Sequence, residues 1–357
     1  LAALDADTSA DVCVVGLGAA GLSAVLALRA RGLTVVGLDA GAIGDGASGR
    51  NGGFLLAGLA AFHHDAAATL GRERATTLYR LTLAELDAIV AATPDAARRT
   101  GSVRVAVSPE EDADCGRQLA AMRADGLPAE PYEGPEGRGL RFPADAALQP
   151  FRRCARLAEA ALAAGARLHT RTRALDLERG RVETRHGTVR CGAVVVCVDG
   201  RLEALLGELG GRVRTARAQM LATAPTDEVR IAGPVYARWG WDYWQQLPDG
   251  RVALGGCRDL GGDGEWTQND SPTGPVQARL EQLLRERIGV SAPITHRWAG
   301  LIACTDGALP VVAEVRPGVV AAGAYNGHGN VLGPICGRAA AALATDDGDP
   351  LLPLLAG

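Results

Sequence analysis

Short apolar runs at residues 12–15, 193–198 and 319–323 stand out in a chain of otherwise mixed polarity, and each has the length and character of a buried strand. The first is followed by a helical stretch and a second apolar run ending at Asp39, so residues 11–40 form a βαβ unit. Leu78, Leu81, Leu86, Ile89 and Val90 recur near helical spacing and predict an amphipathic helix over 77–91. Residues 101–107 alternate as a strand, and 111–124 read as another helix. A proline- and glycine-rich connection is expected at 126–143, then a helix from Pro150. Residues 166–200 give short strands in hairpin spacing that end in the run 193–198. Residues 213–256 are strand-rich, 261–275 are a loop rich in glycine and aspartate, and 276–288 are a helix. From 296 onward the pattern is strand, polar turn, strand, glycine-rich loop and helix.

This order predicts an α/β fold in which the chain leaves its first domain and returns to it. A discontinuous, Rossmann-like nucleotide-binding domain is expected from 10–85, 145–212 and 296–346. An antiparallel-sheet domain of α+β character, suited to substrate, is expected from 86–144 and 213–295. A length of 357 residues suits two joined domains.

The glycines give the βαβ unit its chemistry. Gly16, Gly18 and Gly21 stand in GxGxxG spacing, for a tight turn, backbone approach to a pyrophosphate, and close packing of helix on sheet. Asp39, 18 residues beyond Gly21, is placed to accept hydrogen bonds from a ribose. In residues 41–54, six of fourteen are glycine, which excludes a helix or strand interior and suits a second cradle of backbone N–H groups, with Arg50 and Asn51 as polar contacts. Far down the chain, Gly327, His328 and Gly329 open onto a further helix N-terminus. Two cradles this far apart suit a long bipartite cofactor, with the second dipole aimed at a flavin ring that carries negative charge when reduced.

Composition narrows the partners. The formal charge of −4 gives no reason to expect nucleic acid, and no run approaches the length of a membrane span. Eight cysteines without paired spacing suggest reduced thiols in a cytoplasm, and none lies in a metal-ligand pattern, so no metal is assigned. All 37 basic residues are arginine. The few aromatic residues gather at Tyr236, Trp239, Trp241, Tyr243 and Trp244. On one strand Trp239, Trp241 and Tyr243 would share a face, as core or as a substrate wall favouring a cationic or apolar amine.

The motifs GLGAAG with its terminal acid, GASGRNGG, RALDLE, VVVCVDG, WAGLIACTDGALPVV and AGAYNGHGNVLGPICG resemble the glycine oxidase and D-amino-acid oxidase superfamily of FAD enzymes, over nearly the whole chain. The RNGG and YNGHG pair is most similar to the γ-glutamylputrescine oxidase branch. The resemblance implies a glutathione-reductase-like FAD fold and non-covalent FAD. It implies contacts to the ADP half from Gly16, Gly18, Ala19, Ala20, Gly21, Asp39 and Ala40. Ser48, Arg50, Asn51, Gly52 and Gly53 would lie along pyrophosphate and flavin, Ala174 at the adenine, and Gly327, His328 and Gly329 at the pyrimidine edge. Cys197, Gly323, Asn326, Asn330 and Val331 complete the implied cofactor set. Trp239, Trp241, Tyr243 and Tyr325 are the candidate substrate contacts, and Tyr325 and His328 the candidate proton-transfer groups.

Three departures from the family pattern bear on chemistry. Asp39 stands where glutamate is usual, with the same role. Ile302 occupies the place of an arginine that clamps the carboxylate in relatives acting on α-amino acids, which shifts weight toward amines or larger substrates. Cys304 lies near, but displaced from, the cysteine that carries covalent flavin in sarcosine oxidases. With a single strand-linked GxGxxG, electrons are expected from the organic substrate, as hydride from an amine to the flavin, with imine hydrolysis following. Molecular oxygen is the expected acceptor. The lysine that assists oxygen in several relatives is absent here, so Arg50 or a cationic His328 must replace it, or another acceptor serves. A non-catalytic FAD-binding subunit is the competing class.

Overall fold

In the computed structural model, which describes residues 1–348 and 351–355, the chain divides into two compact units built from separate stretches of sequence. One comprises Leu1–Arg50, Pro150–Thr215 and Ile302–Gly357, and the other Asn51–Gln149 and Ala216–Leu301. Residues 51–85, expected with the nucleotide-binding part, group with the second unit. The cause is pairing within that unit: Phe54–Leu55 adds antiparallel to Ala146–Leu148, and the helices His63–Leu70 and Arg72–Ala92 pack on one another.

The first unit is organised by a parallel sheet. Thr8–Val15 pairs with Thr188–Val196 on one side and Val35–Leu38 on the other, Arg167–His169 continues the second side, and Val319–Gly323 continues the first. The apolar runs are buried but for the half-buried Val198, as in strands covered on both faces. The hairpin Asp176–Glu178/Arg181–Glu183 extends the first half of Thr188–Val196 in antiparallel sense. Helix Ala19–Ala30 meets helix Gly329–Leu343 almost backbone to backbone: a Cβ on Gly337 would stand 2.1 Å from the Ala20 carbonyl oxygen. Only glycine fits this crossing.

In the second unit, among the described residues, an eight-stranded sheet runs in the order Ile294–Cys304, Arg214–Thr223, Val252–Gly256, Asp242–Gln246, Val235–Ala237, Ser102–Val105, Gly137–Phe142, Glu130–Gly134. The last two strands form a hairpin where the sequence suggested only a connection over 126–143. Glu130–Gly134 is an edge strand, where Pro131 is tolerated, so its proline and glycines disguised it. Helix Pro109–Ala124 starts where Ser108 Oγ accepts the Glu111 N–H at 3.2 Å and Pro109 occupies the first turn.

Asp145, buried in this unit, accepts the Ala57 N–H at 3.0 Å and the Ser102 hydroxyl at 2.6 Å. Burial nevertheless pushes its pKa up to about 7. A folded-state value above the unfolded one means that stability is fully present below 3.8 and is lost as pH rises from there through about 7. Asp145→Asn keeps the acceptor for Ala57 and offers Ser102 a neutral donor. Its melting temperature is therefore expected to match the parent below about pH 3.8 and exceed it at pH 8, in calorimetry of both proteins. An equal difference at the two pH values would refute the assignment.

No helix among the described residues is long and apolar enough to cross a membrane, and no cluster of His, Cys, Asp and Glu among them could hold a metal ion. All eight cysteines are free thiols.

Candidate cofactor site

The first strand ends at Val15 and the chain turns through Gly16, whose φ of +94° is left-handed. The Gly16 N–H donates to the Leu38 carbonyl at 2.8 Å, which ties the turn to the neighbouring strand. A Cβ at Gly16 would stand 2.7 Å from the Cys197 carbonyl oxygen, and one at Gly21 only 1.8 Å from the Gly16 carbonyl oxygen. Both contacts are with backbone and cannot swing away. Gly18 differs: it caps the helix, and a Cβ there would meet only the Ser48 side chain, at 2.7 Å. Ser48 Oγ accepts the Ala19 N–H at 3.0 Å. The other first-turn N–H groups of this helix, around Ala20 and Gly21, have no partner inside it, which is the arrangement that receives an anion.

Asp39 closes this end. One carboxylate oxygen accepts the Leu17 N–H at 2.8 Å and the other the Gly41 N–H at 2.8 Å, fixing the acid and leaving lone pairs for hydroxyl donors. Burial raises its pKa, and the two N–H groups pull it back. Its backbone is held from both directions, because the Asp39 N–H donates to His169 and the Thr172 N–H donates to Asp39. Ala40 follows in the exposed turn, and Ala174 is buried in the core beyond Thr172. A Cβ-free turn, an anion-receiving helix end and an anchored acid fit the adenosine and pyrophosphate of a dinucleotide.

The sequence did not single out Asp199, which organises the second cradle. Its carboxylate accepts the N–H groups of Ala324 at 2.8 Å, Tyr325 at 3.4 Å and Ala303 at 3.1 Å. Burial pushes its pKa up to about 6. Ala324, Asn326 and Gly327 all have positive φ, at 59°, 52° and 89°, and two of them are not glycine. Such backbone persists only where its surroundings over-determine it. Asn326 adds a second tie, its carboxamide oxygen accepting the Thr305 N–H at 2.8 Å, so its side chain is spent on the 303–307 turn. Gly323 precedes this turn in close packing, a Cβ there falling 2.8 Å from Leu202 Cδ2. The turn leads through His328, the N-cap, into the helix that begins Gly329, Asn330, Val331.

Two of the expected proton-transfer groups lie in surroundings that oppose a charge. Tyr325 is buried, its ring lies against Gly329, and burial followed by Cys336, Cys197 and Asp199 lifts its phenol well above 10. Its hydroxyl is buried with no hydrogen-bond partner among the described residues, and a phenol this hard to ionise is disfavoured as a base. His328 is pushed down to about 4 by burial, so it is neutral at pH 7 and is not the cation expected to assist oxygen. Cys197, expected at the cofactor, backs the first turn through its carbonyl and Cβ, and burial pushes its thiol up to about 12.

Within the second unit, Asn51, Gly52 and Gly53 form a tight loop. The Gly53 N–H donates to Asn51 Oδ1 at 2.8 Å, and a Cβ on Gly53, at φ +74°, would stand 2.2 Å from the Leu148 carbonyl oxygen. Gln245 donates its carboxamide N–H to the carbonyls of Gly52 and Gly53. Tyr243 reaches the same loop: its Cδ2 lies 3.2 Å from the position of a Cβ on Gly52, and its ring packs edge-on to Phe54. Trp239 and Trp241 do not join it. Strand Asp242–Gln246 contains Tyr243 alone of the three, because Arg238 and Trp239 adopt left-handed φ in a turn. The Glu111 carboxylate holds that turn by accepting the Trp239 N–H at 2.8 Å and the Arg238 N–H at 3.2 Å. The Trp239 indole N–H donates to Asp114, and the Arg258 guanidinium lies over Trp241 at 4.8 Å. The expected shared strand face is therefore absent. Arg50 closes the short helix Ala47–Arg50 of the first unit.

Comparison with known proteins agrees with this geometry. The sequence profile of the family described as DAO, FAD dependent oxidoreductase, matches residues 11–343. The "Probable oxidoreductase OrdL" of Rhizobium meliloti (strain 1021) is 29% identical over 367 residues, which cover 94% of this chain and 83% of the relative. A shorter stretch of 53 residues, 15% of this chain and 12% of the relative, is 55% identical to the gamma-glutamylputrescine oxidoreductase of Escherichia coli (strain K12). Among solved structures, glycine oxidase from Geobacillus kaustophilus shares the fold with a TM-score of 0.78 at 21% identity, over 97% of this chain and 98% of that one.

Proposed function

The chain belongs to the family of FAD dependent oxidoreductases, and from that premise we propose that it oxidises the C–N bond of an amine or amino acid, with FAD held non-covalently and molecular oxygen as acceptor. The observation that carries the reading is the pair of backbone cradles, one at Gly16–Gly21 with its anchored Asp39, the other the strained turn held by Asp199. FAD, when bound, supplies the hydride acceptor at N5. The amine gives up a hydride from carbon and a proton from nitrogen to become an imine. Water adds and expels the nitrogen, leaving a carbonyl compound, and oxygen receives two electrons and two protons to leave as hydrogen peroxide.

The protein's part is binding and electrostatics. The first unit takes the cofactor: the Gly16–Gly21 turn and helix end receive the pyrophosphate, Asp39 the ribose hydroxyls, and the first turn of Gly329–Leu343 presents positive dipole to charge that develops on reduction. The second unit takes the substrate, with Tyr243 its aromatic contact. With Tyr325 buried and His328 neutral, the amine enters already deprotonated. Activity should therefore rise with pH along the substrate's own titration. Ile302 in place of a carboxylate-clamping arginine and the local likeness to gamma-glutamylputrescine oxidoreductase favour an amine over an α-amino acid. The eight free thiols suit a reducing cytoplasm.

A dehydrogenase is the second reading, and one observation favours it: the chain has no lysine, and His328 is not cationic at neutral pH. The test is anaerobic mixing of the FAD-loaded protein with primary amines, N-alkyl amines and D- and L-amino acids, followed by admission of air. Bleaching by an amine and reoxidation faster than free reduced flavin are expected. No bleaching by any member of the panel would overturn the amine-oxidising reading, and reoxidation no faster than free flavin would turn the oxidase into a dehydrogenase.

A further inference from the structure

Helix Gly329–Leu343 contains Pro334. Proline has no N–H, so the carbonyl four residues earlier, that of Asn330, loses its helical donor, and the proline ring crowds that same carbonyl. Asn330 lies in the first turn of this helix. An acceptor left unpaired there costs stability and frees the turn to tilt. The structure supplies a replacement from another element: Arg153, buried in helix Pro150–Ala163, donates from Nη1 to the Asn330 carbonyl oxygen at 2.6 Å.

The geometry points to Arg153 as a positioning residue for the cofactor, acting through the defect that Pro334 creates. This rests on the reading of the first unit as the FAD site. The guanidinium does two things there. It fixes the direction of the Asn330 peptide, and with it the turn Gly329–Val331 that follows the strained 324–327 segment. It also places a full positive charge in the first turn of the helix, where it adds to the dipole and favours an anion, including reduced flavin, over a neutral ligand. Both effects depend on a side chain of this length and charge. Helix Pro150–Ala163 also presents Arg152 and Arg156, but it is Arg153 that is buried.

The test is a double-mutant cycle of Arg153→Met with Pro334→Ala, since alanine restores the missing N–H. Arg153→Met alone is expected to weaken FAD binding at least tenfold and to lower the midpoint potential of the bound flavin. In the Pro334→Ala background the same substitution should weaken FAD binding no more than threefold, while the potential stays low because the charge is gone. Arg153→Lys should recover the potential better than the affinity. Equal loss of affinity in both backgrounds, or an unchanged potential in Arg153→Met, would overturn the proposal. If Arg153→Met yields no folded protein, folding of the double variant supports the coupling and its failure refutes it. Thermal unfolding of the FAD-free variants reads the same coupling without the cofactor. A wild-type protein that took up no FAD would therefore sink the functional reading, while the unfolding cycle would still decide whether Arg153 and Pro334 are coupled.

Discussion

Gly21→Ala is expected to yield a protein that no longer retains FAD and melts well below the parent. The added methyl would stand 1.8 Å from the Gly16 carbonyl oxygen, 2.9 Å from its carbon and 3.3 Å from Cys197 Cβ. The first two are backbone atoms of a turn locked by the Gly16–Leu38 hydrogen bond, so helix and strand must separate. Overpacking of this kind costs at the upper end of ~1–3 kcal/mol, and it displaces the helix N-terminus proposed to receive the pyrophosphate. Gly18→Ala provides the contrast. Its methyl meets only the Ser48 hydroxyl, which can rotate. That variant should melt near the parent and still bind FAD weakly, because the backbone can no longer approach the phosphates. Flavin content after desalting, with a melting curve of each apoprotein, reads both quantities. Full FAD content in Gly21→Ala would mean that the first cradle is not the nucleotide site.

Asp199→Ala is expected to have the second large effect. Removing this carboxylate leaves three N–H groups without their acceptor, those of Ala303, Ala324 and Tyr325. Each buried unpaired donor costs ~1–3 kcal/mol, and the left-handed Ala324 loses the tie that holds it. The 324–328 turn should relax. On the proposed reading the consequence for the flavin is a weaker and spectrally altered complex, because the turn enters the helix whose dipole would stabilise the reduced ring. Asp199→Asn should fall between: its oxygen still accepts from Ala324 and Tyr325, while its amide opposes the Ala303 N–H. Hydrogen exchange of residues 303 and 324–325, with a visible spectrum of the holoprotein, distinguishes the cases. Unchanged protection in Asp199→Ala would show that the turn holds itself.

The sequence disclosed what depends on local pattern. The strands buried on both faces appear as unbroken apolar runs, so residues 12–15, 193–198 and 319–323 declare the parallel sheet before any pairing is known. Gly16, Gly18, Gly21 and Asp39 are legible because a dinucleotide turn requires them at set spacing within one βαβ unit. The interleaving of the two units is legible too, though not its boundary, since nothing local to residues 51–85 says that Phe54–Leu55 will pair with Ala146–Leu148.

What remained hidden depends on residues distant in sequence. Trp239 reads as part of a strand face, and only the meeting with Glu111, 128 residues away, shows the turn that removes it. Tyr325 and His328 sit in a motif rich in polar chemistry, and only burial in the fold shows that a charge on either is opposed. Asp199 reads as the end of a strand until it is found beneath three N–H groups from two other segments. Arg153 is one of several arginines on a helix until Pro334, far along the chain, leaves a carbonyl for it to fill. Sequence by itself determined the sheet, the glycine turn after its first strand and the FAD family, because glycine spacing and apolar runs act over a few residues. Tertiary structure decided which polar groups are charged, strained or spent on the backbone, because desolvation and hydrogen-bond partners come from whatever the fold brings alongside.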